Sequence, residues 1–167
     1  MELYVLRHAI AVTLGTEGVR HDSDRPLTEA GRAKLRRVVR GMGALGLFFD
    51  LILTSPYRRA VQTAEVVAKQ LGGKNGCERT PQLAPDGDPR ALVGLITSRS
   101  GAGDRVLVVG HEPYLGELVS VLVSGDAHTP IALKKAGLCK LVTPALRYGR
   151  CARLEWLLAP AQAARIR

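Results

Sequence analysis

Three short segments carry side chains able to do chemistry, and each stands at the end of an apolar run. Arg7-His8 closes the run LYVL (3–6), Ser55 closes DLILT (50–54) with Arg58-Arg59 just beyond, and Gly110-His111-Glu112 follows RVLVV (105–109). Arginine presents a planar fork of donors that grips phosphate oxygens, and it stays protonated near neutrality. A neutral imidazole nitrogen is a competent nucleophile toward phosphorus. A second histidine can donate hydrogen bonds to oxygens on which negative charge develops. Two of the four histidines occupy equivalent places after apolar runs. If those runs are neighbouring parallel strands, the histidines and arginines converge into a phosphoryl pocket.

The elements that must position them follow from pattern. Each of the three runs has the length and the boundaries of a buried strand. Residues 9–25 are polar and irregular, a loop long enough to cover a site. Thr28 is placed to cap a helix reaching to about Ala44, with Leu27 as a staple residue and Gly41, Gly43 and Gly46 weakening its end. Ser55-Pro56 predicts an N-cap and a first-turn proline for the next helix. Tyr57, Ala60, Val61, Ala64, Val67, Ala68 and Leu71 form its core face, and Gly72 and Gly73 end it.

Further along, the pattern predicts a short strand over 78–83 and helices over 89–97 and 113–123. Strands are expected over 131–133, 138–143 and 151–158, with antiparallel pairing, and the tail from Pro160 is expected to fray. The alternation predicts one α/β domain over 1–167, a three-layer α/β/α sandwich with a mostly parallel central sheet. Ligands on such sheets bind beyond the carboxyl ends of the strands, where the candidate residues lie. Helix N-termini at Ser55 and near Pro113 would aim backbone donors at the same anion.

Composition narrows the classes. Of 167 residues 46% are hydrophobic but only 4% aromatic, so the core must be built from Leu, Val, Ile and Ala. Lys plus Arg number 24 against 15 Asp plus Glu, and the net charge of +9 favours anionic partners. The basic residues are scattered and no aromatic residues interleave with them, so nucleic acid is not an expected partner. Cys77, Cys139 and Cys151 form no metal-type pair and read as reduced thiols of a cytoplasmic protein. The start MELYVLRHAI does not have the pattern of a secretory signal and no apolar run reaches membrane-spanning length, so neither secretion nor membrane insertion is expected. A monomer without metal or cofactor is expected.

The segments L-R-H-A (6–9), S-P-Y-R-R-A-V-Q-T-A (55–64) and V-G-H-E-P (109–113) resemble the signatures of the histidine phosphatase superfamily, which is phosphoglycerate mutase-like in fold. Short length and the segment D-S-D-R-P-L-T-E-A-G (22–31) resemble its small SixA-type phosphohistidine phosphatases. The resemblance implies that His8 is the nucleophile, that Arg7 and Arg59 (not Arg58) bind phosphate, and that His111 is the second pocket histidine. It also places Arg25 where small members can face the pocket. Ala9 stands where many members have glycine.

The general acid is the departure. The region where phosphoglycerate mutases carry a glutamate is short here and offers only Asp86 and Asp88. Glu112 matches the acid of another branch; otherwise it is a carboxylate at a helix N-terminus. General acid catalysis contributes roughly 10²–10⁴-fold, and a labile P–N bond needs it least. The resemblance therefore implies a metal-independent phosphatase acting on phosphohistidine in a protein such as a phosphotransfer domain, in signal transduction. A phosphomonoesterase or mutase of small phosphorylated substrates, and a phosphate-binding module without turnover, are the alternatives.

Overall fold

The computed structural model describes residues 1–72 and 76–167. Its framework is a six-stranded sheet of β1 (Glu2–Arg7), β2 (Leu51–Thr54), β3 (Glu78–Arg79), β4 (Arg105–Gly110), β5 (Leu138–Val142) and β6 (Arg153–Leu158). Their order across the sheet is β3-β2-β4-β1-β5-β6. β1, β2, β3 and β4 run parallel, while β5 pairs antiparallel with β1 and β6 antiparallel with β5. The expected mostly parallel sheet is present, and β1, β4 and β2 are neighbours.

Alternation along the strands divides the core in two. Leu3 and Val5 of β1 and Val106 and Val108 of β4 face α3 (Pro89–Arg99) and α4 (Tyr114–Ser124). Tyr4, Leu6, Leu107 and Val109 face α1 (Glu29–Ala44) and α2 (Arg58–Leu71). Strands apolar on both faces are what a sheet covered by helices on two sides requires. The helix over 29–44 forms as expected: Thr28 Oγ1 accepts from the Gly31 amide at 2.9 Å, and Gly46 follows the end at φ 68°.

Several expectations are corrected. Tyr57, not Ser55, is the N-cap of α2, and Ser55 Oγ instead accepts the Tyr57 amide at 3.2 Å. The Gly73 end of that helix lies outside the described residues, though Gly72 is its C-cap. The strand over 78–83 shrinks to β3, since Pro81 has no N–H for the ladder and opens a 3-10 turn. Residues 131–133 form no strand; the Leu133 amide and carbonyl bond to side chains instead. The tail does not fray: α5 (Pro160–Ala163) packs on α1, where a side chain at Gly41 would strike the Ala163 carbonyl.

The antiparallel strand matters for function. Because β5 runs against β1, the turn that enters β5 lies at the edge where the parallel strands end. Gly137 accepts from the Arg7 amide at 3.2 Å, and the Ala136 amide donates to the carbonyls of Arg7 and His8. No helix among the described residues is long and apolar enough to cross a membrane.

Candidate active site

Register brings the two histidines together. Arg7 pairs with Gly110 and Thr54 with Val109, so His8, His111 and Ser55 each stand one step past a strand end. The His8 amide donates to Gly110 O at 3.0 Å and the Ser55 amide to Val109 O at 2.9 Å, which extends the ladder into the site. The His8 and His111 ring centroids are 5.1 Å apart. His8 is 6% exposed and His111 2%, so both rings are buried at the strand ends.

Hydrogen bonds assign the proton of the His8 ring. His8 Nδ1 lies 2.7 Å from the Ala9 carbonyl, which can only accept, so Nδ1 carries the hydrogen. Arg59 Nε, a donor, lies 3.2 Å from His8 Nε2, which therefore presents its lone pair. His111 Nε2 lies 2.7 Å from Ser55 Oγ. Ser55 Oγ also accepts the Tyr57 amide, so it ties this ring to the start of α2. His111 Nδ1 is buried and has no partner among the described residues.

Burial, and then the positive charges of Arg59 and Arg7, depress His8 to about 4, against the partial opposition of the Ala9 carbonyl. Burial is the larger cause. Burial and Arg59 lower His111 to about 3. Both rings are neutral at physiological pH.

The arginines divide as expected from the motif. Arg59 is 5% exposed and touches His8, while Arg58, one residue earlier, is exposed and lines an outer groove with Asp24 and Glu65. Arg59 Nη1 donates to Asp22 O at 2.6 Å and Nη2 to Asp22 Oδ2 at 2.8 Å. Arg7 Nη1 donates to Leu133 O at 2.8 Å, and its buried Nε has no partner among the described residues. Two unpartnered buried nitrogens, Arg7 Nε and His111 Nδ1, thus belong to the same cluster.

Arg25 does not reach His8. Its guanidinium donates to Val12 O and to Asp22 Oδ1, both at 2.7 Å, and holds the covering loop in shape. Glu112 Oε1 accepts the Leu133 amide at 2.7 Å, and burial raises its carboxyl against the pull of the Leu133 amide. Glu112 and Arg7 therefore grip the same residue from opposite sides. Asp88 caps α3 through the Arg90 amide, and Asp86 lines a surface cavity beside Tyr114 and Tyr148.

Asp22, Tyr57 and Thr63 are the site residues that single-residue reading missed. Tyr57, expected on a core face, has its ring 5.1 Å from that of His111 and 5.1 Å from the Arg59 guanidinium. Thr63 Oγ1 accepts the Ala9 amide at 3.1 Å, fixing the chain just after the nucleophile candidate. Burial pushes the Asp22 carboxyl up, but hydrogen bonds from Arg25 and Arg59 more than offset this and keep it ionised.

Comparison with known proteins agrees with this geometry. Residues 3–84 match the family model of the histidine phosphatase superfamily, branch 1. The phosphohistidine phosphatase SixA of Escherichia coli (strain K12) is 31% identical over 127 residues, 75% of this chain and 76% of that protein. An uncharacterized protein of Picosynechococcus sp. is 40% identical over 152 residues, 88% of each chain. The structure of the protein histidine phosphatase SixA complexed with tungstate superposes with a TM-score of 0.81 at 26% identity, covering 96% of this chain and 98% of that one. Two neutral histidines at adjacent strand ends and a buried arginine in the first turn of α2, on a backbone and sequence shared with these relatives, make this chain a member of the histidine phosphatase superfamily.

Proposed function

We propose that the chain removes phosphate from phosphohistidine in a protein, through a phosphoryl intermediate on His8. The observation that carries this reading is the lone pair of neutral His8 Nε2 in a buried, cationic pocket. A phosphoryl group entering the site draws Arg59 from Nε2 onto its oxygens, with Arg7 Nε and His111 Nδ1 as further donors. His8 Nε2 then attacks phosphorus in line. The new N–P bond forms as the substrate P–N bond breaks, and the departing imidazole takes a proton from solvent.

Nδ1 keeps its hydrogen on Ala9 O, so the phosphorylated ring is cationic and a good leaving group. Water attacks the same phosphorus, loses a proton to bulk, and releases inorganic phosphate as the electron pair returns to Nε2. The carboxylates offer little help with the leaving group. Asp22 is held ionised by two arginines, Glu112 is bonded to the Leu133 amide and Asp88 to the Arg90 amide. A substrate with a labile P–N bond is the one that tolerates this.

A second reading has one observation in its favour: the raised Glu112 carboxyl is suited to protonate an alkoxide, as a phosphomonoesterase requires. Phosphate release from a phosphohistidine protein and from p-nitrophenyl phosphate, both in EDTA, separates the two. Fast His8-dependent release from the protein, weak release from the ester and little effect of Glu112→Gln are expected. Strong ester hydrolysis that Glu112→Gln abolishes would establish the second reading. Tungstate, a tetrahedral oxyanion, should compete with either substrate.

A further inference from the structure

The turn that enters β5 is built with unusual constraint for a surface feature. Ala136 adopts φ 63°, a left-handed conformation that non-glycine residues rarely take. Its amide donates to both the Arg7 carbonyl (3.1 Å) and the His8 carbonyl (3.2 Å), and the Gly137 amide closes the turn on Lys134 O at 2.6 Å. A side chain at Gly137 would stand 2.7 Å from that same Lys134 carbonyl. On the other flank, Leu133 is clamped between Glu112 and Arg7. The backbone on both sides of Lys134 and Lys135 is therefore fixed to the nucleophile strand.

Both lysines are exposed, and among the described residues neither has an ion pair. The positive charge of Lys135 reaches His8, where it adds to the depression of the imidazole. Across the mouth the charges balance: the groove beyond Arg58 contains Asp24 and Glu65 as well as Arg79. The carboxylates nearest the pocket, Asp22 and Glu112, are already bonded. The lysine turn thus presents two adjacent unpaired cations on backbone tied to the nucleophile strand. A phosphoryl group is met inside the pocket by Arg7, Arg59 and His111, so two exposed cations outside it address what lies beyond the phosphate.

We propose that the Lys134-Lys135 turn is a docking element for carboxylates on the surface of a protein substrate, beside its phosphorylated histidine. This rests on the phosphohistidine reading and adds the selection of an acidic protein surface. Long-range complementarity of this kind raises association rates by 10–10³ and weakens with salt.

The test is the double variant Lys134→Gln/Lys135→Gln, assayed at about pH 8, well above the His8 value, so that losing nearby positive charge leaves its protonation unchanged. Two substrates are compared: the phosphoramidate ion, and an acidic phosphotransfer domain phosphorylated on histidine. Expected is a fall of about tenfold or more in kcat/KM on the domain, shrinking at high salt, with the phosphoramidate value held within about twofold. Equal losses on both substrates, or no loss on the domain, overturn the proposal. Wild-type turnover of phosphoramidate but not of the domain also overturns it while leaving the phosphatase chemistry standing. Turnover of neither by the wild type overturns both.

Discussion

At the scale of residues, the chemistry depends on which nitrogen of His8 carries the proton and which arginine lies within reach. Arg59 touches His8 Nε2 and Asp22, whereas Arg58 faces an outer groove. Arg59→Ala should therefore lower kcat/KM by about 10² or more, on the scale of losing a preorganised donor. Arg58→Ala should stay within about threefold, and His8→Ala should abolish turnover; steady-state kinetics on a phosphohistidine protein reads all three. Equal effects of the two arginine variants would contradict the assignment. The resemblance to the family pattern S-x-x-x-R pointed to Arg59 rather than Arg58, and the first turn of α2 buries Arg59 while leaving Arg58 exposed. Nothing in the spacing distinguished Asp22 from Asp24. That choice is made by a 3-10 turn and a contact spanning 37 positions in the chain.

Among elements, β1, β2 and β4 were legible because each is an apolar run ended by glycine or a polar residue. The pieces that were not legible close on side chains. Residues 131–133 read as a strand by composition, but Glu112 and Arg7 take the hydrogen-bonding groups that a ladder would use. Helix α1 shows a similar long-range constraint. A side chain at Gly31 would strike the Ile10 carbonyl, two residues past His8. Gly→Ala inside a helix ordinarily stabilises by roughly 0.5–1 kcal/mol. Here the overlap is with backbone, and overpacking costs about 1–3 kcal/mol. Gly31→Ala should therefore lower the urea midpoint and reduce turnover as the chain after His8 shifts. A raised midpoint with unchanged activity would show that the loop yields freely.

For the molecule as a whole, two buried neutral histidines couple stability to pH. The folded values of about 4 and about 3 lie below the ordinary 6.5. Between these limits the unfolded chain binds protons that the folded chain refuses, so stability is full above about pH 6.5 and falls as pH drops toward 4. The slope should approach two protons, about 2.7 kcal/mol per pH unit. Urea titrations at pH 7, 6 and 5 measure it, and a flat profile would mean the rings are charged in the folded state. The Asp22 carboxyl, held low by Arg25 and Arg59, adds a loss of the same sign at more acid pH.

The bond from His8 Nδ1 to the Ala9 carbonyl has an evolutionary and engineering consequence. The group that orients the nucleophile is main chain, so no point substitution deletes it and no acid in the working range titrates it. Residue 9 is free to exchange glycine for alanine without losing the tautomer, and random mutagenesis should recover no loss-of-function change that acts by removing this acceptor. Only a change in the path of the chain leaving β1 can disarm it, which leaves the anchors Thr63 and Gly31 as the places where such changes would arise.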